Sequence, residues 1–150
     1  MPQSLAAAYL HIVFSTKNRE PMIDADLVER LFPYIGGVAR GNKNVLLASG
    51  GMPDHVHLLI SMGREQSIAA MVGSLKASSS RWVHDTFPER IGFAWQSGYG
   101  AFSVSPTHLQ AVRKYVENQE QHHKVRTFQD EYREFLRRYE IEFDERYVWD

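Results

Sequence analysis

The sequence predicts an α+β fold of the ferredoxin-like or RRM-like kind: an antiparallel sheet in the order β-α-β-β-α-β, with additional C-terminal helices. Three observations predict it. Residues 7–15 and 55–62 are rich in β-formers and alternate their apolar faces as half-buried strands do. Residues 24–40 and 67–87 repeat apolar side chains at helical spacing. A Gly-Gly-Met-Pro-Asp segment at 50–54 joins two β-like stretches closely enough for an antiparallel pair.

The first strand places Leu10, Ile12 and Phe14 on one face, and the polar run 16–21 ends it. The first helix, 24–40, starts at Asp24 as N-cap and carries Leu27, Leu31, Ile35 and Val38. Pro33 predicts a kink or early break in it, and Gly36-Gly37 a further weakness. Residues 44–49 form the second strand, 50–54 the turn, and the third strand runs to Met62. The second helix, 67–87, is capped by Ser67 and buries Ile68, Met71, Val72, Leu75, Trp82 and Val83. Its other side, with Lys76, Arg81 and Ser78 to Ser80, is small and polar, suited equally to a phosphate backbone or to solvent. Residues 88–92 form a loop. Residues 93–104 are β-like, with Gly98 and Gly100 marking a bulge or tight turn. A last long helix spans 105 to about 123, with Ser105 as N-cap and Pro106 at its first position. Leu109, Val112 and Val116 point inwards, while Tyr115 and Gln119, four apart, share another face. Beyond it, Tyr132, Phe135, Leu136, Tyr139 and Phe143 predict a short amphipathic helix and an extension over about 127–150. The whole of 1–150 reads as one domain, its core lying over about 7–123.

Composition narrows the function classes. With 150 residues and 43% hydrophobic content, the chain has material for one packed core. No cysteine is present, so no thiolate site exists and a zinc site would need histidine and carboxylate. There is no run of ~18 apolar residues and no secretory pattern, which predicts a cytoplasmic protein without a membrane partner. The net charge is −1, with nine Lys/Arg against eight Asp/Glu in 1–112 and eight against ten in 113–150. A nucleic-acid surface would therefore have to come from local clustering.

The segment with chemistry is Pro53-Asp54-His55-Val56-His57-Leu58-Leu59. His55 and His57 alternate with Val56, Leu58 and Ile60, so both imidazoles project from one face as a chelating pair. Asp54 is a turn residue or a hydrogen-bond partner for a histidine. His11 and His108 read as structural. This motif resembles, letter for letter, the His-hydrophobe-His motif of the IS200/IS605-type single-tyrosine (HUH, Y1) transposases, which include REP-associated relatives. The run His-Ile-Val-Phe-Ser-Thr-Lys-Asn-Arg at 11–19 and Trp95-Gln96-Ser97-Gly98-Tyr99 resemble the same family.

The resemblance implies a DNA transposase that cleaves and rejoins single-stranded DNA near a hairpin through a 5′-phosphotyrosine. His55, His57 and Gln119 would hold Mg²⁺ or Mn²⁺, and Tyr115 would be the nucleophile. Lys17, Arg19, Lys76 and Arg81 are candidate phosphate contacts. The resemblance also implies a homodimer meeting around 95–104, with each site shared between chains. His122 or His123 can compete with Gln119 as ligand. Two other readings stay open on the residues alone. One is a zinc hydrolase built on His55, His57 and His122 or His123; the other is a non-catalytic nucleic-acid-binding module with an open sheet face.

Overall fold

The computed structural model describes residues 3–123 and 126–150, apart from the side chain of His122. Four strands, β1 (Tyr9–Ser15), β2 (Val45–Met52), β3 (His55–Ser61) and β4 (Gly100–Val104), form one antiparallel sheet in the order β2-β3-β1-β4. With helices α1 (Ala25–Gly41) and α2 (Ile68–Thr86) between them, this is the expected ferredoxin-like topology. The period-2 alternation splits β1 and β3 between two faces. Leu10, Ile12, Phe14, Val56, Leu58 and Ile60 pack against α1 and α2 in the main core. Val13 and Leu59 belong to two smaller clusters on the opposite face.

Helices α3 (Leu109–Glu117), α4 (Gln119–His122) and α5 (Phe128–Arg138) follow the sheet, and α3 and α5 cover that second face. Val116 of α3 packs with Ala48, Leu59 and Val104, and Phe128, Tyr132 and Leu136 of α5 pack with Val13 and Phe102. The sheet thus has helices on both sides, and the open face that an RRM-type binding module would use is covered. No helix among the described residues is long and apolar enough to cross a membrane.

The caps predicted for the first two helices form. Asp24 accepts from the Leu27 amide and Ser67 from the Ala70 amide. Several expectations need correction, among them the burial of Ile68, which is exposed, and the start of the last strand, which begins only at Gly100. Pro33 does not end α1, because it and Glu29, whose carbonyl it leaves unpaired, lie on the exposed side, while Leu27, Leu31, Ile35 and Ala39 are buried. Gly50, Gly51 and Met52 are strand, pairing with His57, Val56 and His55, so only Pro53 and Asp54 make the turn. Gly50 is required there by a close approach: a Cβ would meet the Val116 carbonyl oxygen at 1.9 Å. The helix expected over 105–123 is broken. Pro106–His108 is a 3-10 turn, Ser105 gives no capping bond to the backbone, and Asn118 leaves helical geometry between α3 and α4. Finally, Ser79 is not on a polar face but buried, accepting from the Trp95 indole N–H at 2.9 Å.

Candidate active site

β3 delivers His55 and His57 to the face covered by α3 and α5, and both are almost fully buried, at 1% and 0% exposure. An acceptor-only neighbour sets which ring nitrogen of His55 donates. The His55 Nδ1 lies 2.8 Å from Asp54 Oδ1, a carboxylate that only accepts, so Nδ1 carries the proton and Nε2 is bare. His123 lies just past α4, and its Nδ1 is 2.9 Å from the Arg126 carbonyl, which likewise leaves Nε2 bare. These two bare nitrogens stand 3.1 Å apart. Two lone pairs at that distance repel unless something positive, a proton or a cation, lies beside them.

More acceptors converge on the same point. Gln119 turns its amide N–H to the Tyr115 carbonyl at 3.0 Å and its Oε1 to His123 Nε2 at 3.2 Å. Glu131 of α5 places Oε1 at 3.0 Å from His57 Nε2 and 3.5 Å from His123 Nε2. The His57–Glu131 approach does not meet hydrogen-bond geometry, and both atoms are buried without a hydrogen-bond partner among the described residues. One ligand atom from each of His55, His57, His123 and Glu131 lies within 4.8 Å of the others. An imidazole-and-carboxylate cluster of that size, short of donors, suits a divalent cation. His57 reaches His11 through its other nitrogen, Nδ1 to Nε2 at 2.7 Å. When His57 donates in that bond, its Nε2 is free for a cation, and His11 fixes the ring as partners of metal-binding histidines do.

The nucleophile candidate stands beside this cluster. The Tyr115 hydroxyl donates to Glu131 Oε2, and its ring lies edge-on to His57 with centroids 6.0 Å apart. Burial raises the Tyr115 phenol well above its ordinary range, and the neighbouring Glu131 charge raises it further. Burial lowers His11 to about 3, helped by His57. It lowers His57 to about 4 against the pull of Glu131. Burial pushes Glu131 up, but the His57 imidazole and Tyr115 hydroxyl outweigh it and hold the carboxyl at about 2.

The sequence-predicted residues divide. His55, His57, Tyr115 and Gln119 come together within one chain, Tyr115 from α3 and Gln119 from α4. Arg19 lines an open groove of about 640 Å³ with Asp54, His55, His123, Arg126 and Phe128. Lys17 is exposed on the neighbouring 3-10 turn. Lys76 and Arg81 lie on α2, across the sheet from the histidines. The Lys76 ammonium is occupied by the Gln96 and Gly98 carbonyls at 2.8 and 2.6 Å, and partial burial lowers it to about 8. The side chain of His122 is outside the described residues. The sequence reading missed Glu131 and left His11 as merely structural. Glu131 had a signal: with 128, 132, 135 and 136 it falls on the apolar stripe of α5, an odd place for a charge.

Comparison with known proteins agrees with the resemblance. Residues 4–119 match the family described as Transposase IS200 like. The ISDra2 transposase TnpA of Deinococcus radiodurans is 29% identical over 114 residues, 73% of this chain and 81% of that protein. A candidate transposase from Deinococcus radiodurans R1, solved by crystallography, has a TM-score of 0.64 at 27% identity, over 79% of this chain and 98% of its own. A REP-associated tyrosine transposase solved with a REP hairpin has a TM-score of 0.57 at 13% identity, over 77% of this chain and 68% of its own, a likeness of fold.

Proposed function

The chain belongs to the IS200-like transposase family, and from that premise we propose that it cleaves and rejoins single-stranded DNA beside a hairpin, with Tyr115 as nucleophile. The Tyr115 oxygen attacks the scissile phosphorus as the bond to the 3′ oxygen breaks. A 5′-phosphotyrosine forms, and the departing 3′ oxygen takes up a proton. Rejoining reverses this, a 3′-hydroxyl displacing the tyrosine. The phenolic proton has an acceptor already in place in Glu131 Oε2. The observation that carries the reading is the contact of Tyr115 with a carboxylate that also touches His57 of the histidine pair.

His55 and His57, with Gln119 and His123 beside them, would hold Mg²⁺ or Mn²⁺. Such a cation would polarise the scissile phosphate, offset charge on its oxygens and ease ionisation of the neighbouring phenol. His11 and Asp54 hold the rings of His57 and His55 in register. The groove beside His55, with Arg19 and Arg126 on its walls, offers the approach for a phosphodiester. A nitrogen-rich donor set favours Mn²⁺ over Mg²⁺.

The resemblance implied a homodimer with sites shared between chains. Here Tyr115 meets its own chain's cluster, so we propose that one chain assembles a complete site. The stretch 95–104, expected at a dimer contact, is met by the chain's own tail: Tyr139 donates to the Ser103 carbonyl of the edge strand β4, and the Asp150 carbonyl accepts from the Gly98 amide just before it. The test is incubation with labelled single-stranded DNA hairpins and Mn²⁺ or Mg²⁺. A denaturation-resistant protein–DNA adduct that disappears in His57→Ala supports the reading; cleavage undiminished in that variant contradicts it.

A further inference from the structure

Glu131 reaches both halves of the site, yet it lies on α5, beyond the residues 4–119 that match the family. Its placement is built in rather than swung from solvent. Thr127 caps α5 by accepting from the Asp130 amide. Phe128, Tyr132 and Leu136 seat the helix on Val13 and Phe102, and the Phe128 ring stacks on His55 at 4.2 Å. Glu131 is on that same face and only 2% exposed. Burying a carboxylate is costly unless a cation or donors compensate. Among the described residues its ion-pair partners are the imidazoles of His57 and His123, while Arg126 pairs with Glu134 instead. Among the described residues Oε1 has no hydrogen-bond partner, and it lies against the nitrogens of His57 and His123, while Oε2 is taken by the Tyr115 hydroxyl.

From this arrangement we infer that Glu131 is a bridging ligand, Oε1 joining the histidines around the divalent cation and Oε2 holding the Tyr115 hydroxyl. The inference rests on the metal-and-tyrosine reading above and extends it. One carboxylate sets the distance between nucleophile and cation, and α5 becomes a working part of the site. A positional error of ~1 Å in such an arrangement costs roughly a hundredfold in rate.

The test uses the full chain and Mn²⁺ alone as the first probe, by titration calorimetry or electron paramagnetic resonance. Wild type, His57→Ala and Glu131→Gln are compared, the last keeping the shape of the side chain and losing its charge. Glu131→Gln should bind Mn²⁺ at least tenfold more weakly. At Mn²⁺ concentrations that saturate the variant, adduct formation with a DNA hairpin should remain at least tenfold slower, because the single amide oxygen cannot both face the cation and accept from Tyr115. If thermal melting shows Glu131→Gln unfolded, Glu131→Asp serves: it keeps the ligand charge, shortens the reach, and should slow adduct formation more than it weakens Mn²⁺ binding. Wild-type Mn²⁺ affinity in Glu131→Gln, with binding lost in His57→Ala, would overturn the inference and leave the wider reading standing. Full recovery of the adduct rate on saturating Glu131→Gln would overturn the bridge. Wild-type Mn²⁺ affinity in His57→Ala would overturn reading and inference together.

Discussion

Gly50→Ala adds one methyl group at the point where β2 runs under α3, and its effect can be worked from the geometry. The new Cβ would stand 1.9 Å from the Val116 carbonyl oxygen and 2.9 Å from its carbon. Ordinary contact starts near 3.4 Å, so the helix backbone or the strand must give by about 1.5 Å. Neither is a flexible side chain. Val116 is fully buried in its cluster, and Gly50 is paired opposite His57. Overpacking of this kind costs ~1–3 kcal/mol, or a melting temperature lower by roughly 3–10 °C in a chain of this size. The larger effect should be on activity. Tyr115 precedes Val116, so relieving the clash moves the nucleophile away from the histidines, and a shift of ~1 Å is worth roughly a hundredfold. Urea unfolding and the initial rate of adduct formation measure the two effects. Gly73→Ala is the control, since a Cβ there, in helix α2, meets nothing within 4 Å. It should stabilise by ~0.5–1 kcal/mol and leave the rate unchanged. Gly50→Ala within about 0.5 kcal/mol of wild type, with a wild-type rate, would refute the packing argument.

Other consequences follow from the same site. Mn²⁺ at a hundred times its Kd should stabilise the fold by ~2.7 kcal/mol, a rise in Tm that EDTA reverses and His57→Ala lacks; no shift in wild type would contradict the cation site. His11 and His57 are held below the ordinary histidine value when folded, so the unfolded chain binds more protons as pH falls below about 6.5. Metal-free protein should therefore lose stability from pH 6.5 towards 4, at up to ~1.4 kcal/mol per pH unit for each histidine; a flat urea midpoint across that window would refute the buried neutral pair. Mixing His57→Ala with Tyr115→Phe should restore no adduct if each chain completes its own site, whereas recovery in proven heterodimers would show that tyrosines are exchanged between chains.

The sheet and its two intervening helices were legible because their signals are local. Alternation in β1 and β3, and the caps Asp24 and Ser67, survive into the structure. The features that escaped depend on neighbours distant in sequence. Gly50 and Gly51 read as a turn because glycine pairs usually punctuate, but α3 approaches too closely for anything larger at Gly50. The break at Asn118 has no proline or glycine to announce it, and it places Gln119 on a separate turn of helix that still faces the cluster. The histidine pair stood out as a same-face motif, and His123 was recognisable only as a competitor. Glu131 went unnoticed in a segment read only as a short amphipathic helix and an extension. The aromatic spacing of that segment already contained the answer, since 128, 131, 132, 135 and 136 share one face. His11 is the same lesson in a strand: its neighbours Leu10 and Ile12 enter the main core, which leaves its imidazole on the face of the site.

Peptide mapping of the covalent adduct tests the central claim most directly. After incubation with a labelled single-stranded hairpin and Mn²⁺, digestion and mass spectrometry should place the nucleotide phosphate on the phenolic oxygen of Tyr115. Tyr115→Phe, which keeps the ring that packs against His11 and Phe135, should remain folded and give no adduct. An adduct on another tyrosine, Tyr99 or Tyr132 for example, or one that persists in Tyr115→Phe, would contradict the account.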